Sequence, residues 1–110
     1  ANELFRQLQR LMQEDKLFCD PTLTLGKLAK RMAVSSTQLS QLLNDNFQTS
    51  FPTFLNEHRI AEAKKLLQLE PNLNMENVAE RVGYNSMSTF YSAFKKIEQV
   101  PPAKYRQMQS

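Results

Sequence analysis

Two stretches of this chain are copies of one pattern. Leu23, Leu25, Leu28, Ala29, Arg31, Met32, Ala33 and Ser36 match Leu73, Met75, Val78, Ala79, Arg81, Val82, Gly83 and Ser86 at an offset of 50 residues. One extra residue then intervenes. After it Leu39, Leu43, Gln48, Ser50 and Phe54 match Phe90, Phe94, Gln99, Pro101 and Tyr105 at an offset of 51. A chance helical stripe would reproduce the apolar positions but not the shared Arg, Ala, Ser and Gln, so one supersecondary unit is used twice. In a chain of 110 residues, two such units leave room for little else.

Each unit reads as helices. Leu4, Leu8, Leu11 and Met12 recur at helical spacing and predict a helix over 3–15, broken by Lys16 to Pro21. Thr24 caps a second helix, 25–33, with Leu25, Leu28, Ala29 and Met32 facing inward. Ser35 and Gln38 have capping-box spacing and open a third helix to about Asn46. Ser50 and Pro52 begin a longer fourth helix, which Pro71 ends, and Asn74 caps a fifth over 75–82. Gly83 to Ser86 turns the chain into a sixth helix over 87–97, and Pro102 opens a short seventh ending near Met108. With 2 Gly, 5 Pro and no Trp, the composition suits helices better than hairpins. The expected fold class is all-α: seven helices, a first helix-turn-helix subdomain over 1–50, a connecting helix over 51–70 and a second subdomain over 71–110.

Other functions lack their residues. One Cys cannot build a disulfide framework, and one Cys with one His falls short of the usual zinc ligand set. No apolar run approaches the length of a membrane span. No nucleophile sits beside a paired base and no phosphate loop is present, so neither enzyme activity nor a cofactor or metal is expected. The net charge of +3 is compatible with a polyanionic partner.

The repeated unit is a short helix, a tight turn and a second helix. Ala79 is small where two helices cross, and Gly83 sits where another residue would strain a positive φ. Val78, Val82, Tyr84 and Phe90 fill the wedge between them. That spacing is a helix-turn-helix, whose second helix lies in the DNA major groove. The outer side of the first such helix carries Ser36, Thr37, Ser40, Gln41 and Asn44, and that of the second carries Met87, Ser88, Tyr91 and Ser92.

The stretch NVAERVGYNSMSTFYSAFKKIEQVPPAKYR, Asn77 to Arg106, resembles the C-terminal signature of the AraC/XylS transcription regulators. FPTFLNEHRIAEAKKLL, Phe51 to Leu67, is similar to that family's connecting helix, and LTLGKLAKRMAVSSTQLSQLL to its first reading unit. The resemblance covers residues 4–108 and implies sequence-specific binding of double-stranded DNA and transcription regulation. It also implies contact with RNA polymerase, a bacterial cytoplasmic, nucleoid-associated setting, and a sensing or dimerisation domain N-terminal to Ala1. Matched to the family motif, Thr37, Ser40 and Gln41 fall at base-edge positions, with Gln41 suited to adenine N6 and N7. On the second helix, Met87, Ser88 and Ser92 are the candidate base readers. Lys95 and Lys96, with the backbone N–H groups of Ser36 and Ser86, are the candidate phosphate contacts.

The chain departs from the family pattern at Gln41 and Ser92, where Arg is common, and residues 35–46 hold no Lys or Arg but do hold Asp45. A helical protein-interaction module that has lost strong DNA affinity is therefore the alternative reading. Gln48 and Gln99 stand where the family has Gly just beyond each reading helix. The expectation is that these helix ends rearrange, because αL costs a non-glycine residue about 1–2 kcal/mol. Arg59 and Arg31 are expected to pair with Glu57, Glu62 or Glu80, or to reach phosphate, while His58 and Cys19 read as ordinary structural residues.

Overall fold

In the computed structural model, which describes residues 2–109, every regular element is helical and no strand occurs among the described residues. The order is α1 (Asn2–Gln13), a single 3-10 turn (Leu17–Cys19), α2 (Leu25–Arg31), α3 (Ser36–Phe47), α4 (Phe51–Leu69), α5 (Met75–Arg81), α6 (Met87–Glu98) and α7 (Pro102–Gln109). Ala1 and Ser110, the outer limits of the two expected subdomains, lie outside the described residues.

Local chemistry sets the boundaries. Thr24, Asn74 and Ser86 each accept a hydrogen bond from the backbone N–H three residues on, satisfying one of the donors a helix start leaves open. Ser35 and Gln38 close a complete capping box, with Gln38 N–H donating to Ser35 Oγ at 3.1 Å and Ser35 N–H to Gln38 Oε1 at 2.9 Å. The break after α1 is more ordered than the sequence suggests. Lys16 adopts αL, and the 3-10 turn that follows drives Phe18 into the core.

Two cores form, and α4 serves both. Phe54 and Leu55, in its first half, join Leu8, Met12, Phe18, Leu28, Leu39 and Leu43. Ile60, Ala63 and Leu67, further along, join Val78, Val82, Phe90, Phe94 and Tyr105. The helix thus carries one apolar stripe toward each subdomain, so no single 3.6-residue face runs along its whole length. At 19 residues it is about 28 Å long, and it accounts for much of the 42 Å long dimension of a molecule only 22 Å across.

Arg59 lies where the two stripes meet, and its role differs from the expectation. It pairs with no glutamate. Its Nε donates to Phe18 O at 2.6 Å and its Nη2 to Asp20 O at 2.9 Å, both carbonyls at the 3-10 turn. Glu62 is instead taken by Lys16 at 2.8 Å, and Arg31 faces Asp15 at 4.0 Å. Asp20 O also accepts from Leu23 N–H at 3.2 Å, so the guanidinium fork adds a second bond there and caps Phe18 O with its other arm.

Candidate nucleic-acid interface

In both units the turn closes on the same backbone bond: Val34 N–H donates to Ala29 O at 3.0 Å, and Tyr84 N–H to Ala79 O at 2.9 Å. The preceding residue has positive φ in each, 59° at Ala33 and 107° at Gly83. The structure moves one alignment. The helix cap is Ser35 in the first unit and Ser86 in the second, so the extra residue is Asn85, inside the turn, and Ser86 corresponds to Ser35 rather than Ser36. The sequence alone could not place it, because Ser35 and Ser36 are adjacent and identical.

With that register, α3 and α6 are equivalent along their length. Leu39 and Leu43 bury the inner side of α3, as Phe90 and Phe94 bury that of α6, all four with no exposed surface. Opposite them Ser36, Thr37, Ser40, Gln41 and Asn44 are exposed on α3, and Ser88, Tyr91, Ser92, Lys95 and Lys96 on α6. A half-buried apolar stripe with a polar outer side is what a surface helix of a small domain requires. The same pattern leaves the outer side of each second helix open to solvent.

The α3 side chains converge. Ser36, Thr37, Ser40, Gln41 and Asn44 line one open groove of about 750 Å³ together with Leu25, Gln48, Thr49 and Ser50. Not one lining group is charged. Gln48 to Ser50 extend this surface beyond the sequence-predicted residues, and the polar run directly after α3 is the signal for them. The α6 residues divide. Ser92, Lys95 and Lys96 share a depression with Gln99, whereas Met87 and Ser86 line a separate cleft with Pro21, Glu76, Glu80 and Tyr84. Met87 is half-buried against the second core, and Ser88 is exposed but lines neither hollow. Lys95 and Lys96 form no ion pair among the described residues, so both charges are open to a ligand.

The two helix ends do not rearrange. Gln48 and Gln99 both take αL, with φ of 50° and 69°. Each then folds its side chain back, Gln48 Nε2 donating to Asp45 O at 3.3 Å and Gln99 Nε2 to Lys96 O at 3.0 Å. A glutamine can therefore do at the C-cap what glycine does without strain: its amide satisfies a terminal carbonyl and offsets part of the αL cost.

Two further titratable groups, His58 and Cys19, pack against the first core. His58 lies between Phe18 and Phe54, at 5.5 and 4.6 Å between ring centroids, and burial pushes its imidazole below the usual range. Burial likewise pushes the Cys19 thiol up, away from the reactive thiolate. No cluster of His, Cys, Asp and Glu among the described residues could hold a metal ion. No helix among them is long and apolar enough to cross a membrane.

Comparison with known proteins gives a consistent answer. A family profile described as a helix-turn-helix domain matches residues 28–108. The helix-turn-helix-type transcriptional regulator YtdP of Bacillus subtilis is 31% identical over 85 residues, covering 77% of this chain and 11% of its own length. The multiple antibiotic resistance protein MarA of Escherichia coli is 30% identical over 93 residues, 84% of this chain and 71% of MarA. The chain spans 11% to 27% of the length of the first curated relatives it matches. Among solved structures, the C-terminal domain of the response regulator AraT from Geobacillus stearothermophilus superposes with a TM-score of 0.86 at 34% identity, covering 96% of this chain and 84% of that one. The DNA-binding domain of AdpA, solved with a target DNA, shares the fold at 19% identity and a TM-score of 0.83, covering 96% of this chain and 90% of its own. With its paired helix-turn-helix units and a family match running from Leu28 to Met108, the chain belongs to the AraC/XylS family of transcription regulators, as a DNA-binding domain of that family.

Proposed function

We propose that this domain reads a bipartite duplex site, with α3 and α6 entering successive major grooves on one face of the DNA. One observation carries the reading: two equivalent helices, each buried on one side and polar on the other, pack one on each half of a continuous helix about 28 Å long. Successive major grooves repeat at about 34–36 Å, which a 42 Å molecule can span. AdpA, of the same fold, has been seen on its target DNA.

Within that reading, Thr37, Ser40 and Gln41 meet base edges from α3, and Met87, Ser88 and Ser92 from α6. An amide at Gln41 favours adenine, and without arginine on either outer face the preference for guanine is weak. Lys95, Lys96 and the N–H groups of Ser36 and Ser86 take phosphates. Ser86 is the weaker anchor, because Glu76 and Glu80 line its cleft. Contact with RNA polymerase, a sensing or dimerising region before Ala1, and a place at the bacterial nucleoid in the cytoplasm complete the proposal. The small share of its curated relatives that the chain spans supports the second of these.

Selection from a random duplex pool tests it. Two enriched half-sites about one turn apart are expected, and no enriched motif would sink the reading. The absence of Lys and Arg from α3 favours a second reading, a helical protein-interaction module. Salt separates the two, since DNA affinity falls steeply as counterions are released.

A further inference from the structure

Arg59 is the one buried charged residue among the described residues, 7% exposed, and nothing in groove recognition uses it. Burying a guanidinium against neutral carbonyls is costly and calls for a structural reason. The reason lies in what closes over it. Tyr84, in the α5–α6 turn, sits with its ring centroid 5.2 Å from the guanidinium carbon and donates its hydroxyl to Asn56 Oδ1 at 2.7 Å. Gly83 is packed so tightly that an added Cβ would stand 2.7 Å from Phe18 O, the same oxygen that Arg59 Nε holds. The turn of the second reading unit, the middle of α4 and the 3-10 turn of the first unit therefore meet at one carbonyl.

The first unit supplies an internal control. Ala33, the counterpart of Gly83, has positive φ and is exposed. The tight approach at residue 83 thus belongs to the junction and is not a demand of the helix-turn-helix turn. A connecting helix sets how far apart the reading helices are, while the angle at which each subdomain sits on it depends on side-chain packing. The contacts at Arg59 join the two subdomains directly across that helix.

We propose that Arg59, with Gly83 and Tyr84 closed over it, is the positioning device that sets the half-site spacing this domain accepts, a proposal that rests on the two-groove reading above. Adding one base pair moves a half-site by about 3.4 Å and a tenth of a turn, which a rigid junction cannot follow.

The test has two arms. In the first, duplexes carrying both selected half-sites are shortened or lengthened between them by single base pairs. The unmodified domain is expected to lose roughly tenfold in affinity per step, as for a mismatched base pair. Arg59→Met and Gly83→Ala are expected to flatten that dependence to below about threefold, with base preferences inside each half-site unchanged. A folded variant that keeps the original spacing profile overturns the proposal. The second arm uses no DNA. Spin labels on Asp45→Cys and Lys104→Cys, in a Cys19→Ser background, report the distance between subdomains. Arg59→Met is expected to broaden a narrow distribution, and an unchanged distribution overturns the proposal even if no DNA motif is ever selected. Should Arg59→Met fail to fold, Arg59→Lys, which keeps the charge but lacks the planar fork that holds Phe18 O and Asp20 O together, carries the same expectations and the same refutation.

Discussion

Gly83 leaves Arg59 no room for a neighbouring methyl: a Cβ at residue 83 would lie 2.8 Å from Arg59 Nε and 3.1 Å from Cζ. Two costs fall together on Gly83→Ala. A side chain at a φ of 107° is strained by about 1–2 kcal/mol, and overpacking against a held backbone adds about 1–3 kcal/mol. The expected loss is about 2–5 kcal/mol by urea denaturation. Ala33→Gly, at the equivalent but exposed turn, is expected to change stability by less than about 1 kcal/mol, since relief of αL strain offsets the entropy of the unfolded chain. Equal costs at the two sites would show that the junction yields.

His58 makes stability depend on pH. Its imidazole is half-buried between Phe18 and Phe54, and desolvation holds its pKa below the ordinary 6.5. The unfolded chain therefore binds the proton at a pH where the folded chain does not, and stability rises with pH across that interval. The contribution is complete above the unfolded value and is lost as pH falls through the folded one. Denaturation midpoints measured between pH 8 and pH 5 are expected to decline toward acid, and His58→Gln to remove that part of the slope. A slope identical in the variant would assign the effect to other groups.

Much of this was legible from the repeat. Thr24, Ser35 and Asn74 announce helix starts because a capping side chain acts on backbone three residues away, and the apolar stripes of α3 and α6 give their inner faces. What escaped depends on distant partners. Arg59 bonds carbonyls about forty positions back in the chain, which no local pattern encodes. The αL glutamines escape for another reason: backbone cost alone argues against αL at Gln48 and Gln99, while their side chains supply the compensating bond. For the candidate interface, outward position was readable from period. The division of α6 between a lysine-lined depression and a cleft shared with Pro21 was not, because Pro21 belongs to the other subdomain.

Gln41 is exposed on α3 and its side chain has no hydrogen-bond partner among the described residues, so removing it should touch recognition without touching the fold. Gln41→Ala is expected to relax one base position of the first half-site by about 1–3 kcal/mol, with thermal stability unchanged. Selection repeated with the variant checks this. An unchanged motif would show that Gln41 faces solvent in the complex.

The charge difference between α3 and α6 predicts a gain as well as a loss. In the structural register Asn44 and Asp45 of α3 stand where Lys95 and Lys96 stand on α6. Replacing both lysines by alanine is expected to weaken every duplex alike and to reduce the slope of log affinity against log salt by about 1.8, since each phosphate contact contributes about 0.9. The reciprocal change, Asn44→Lys with Asp45→Lys, places two cations at the C-terminal end of α3, where the helix dipole also favours them. It is expected to tighten binding to all duplexes and steepen the slope by up to the same amount, with base preferences unchanged. Affinities measured between 50 and 200 mM salt on selected and scrambled duplexes read both changes. If the lysine pair on α3 strengthens only one sequence, or leaves the slope where it was, that end of the helix does not approach phosphate and the two units do not dock alike.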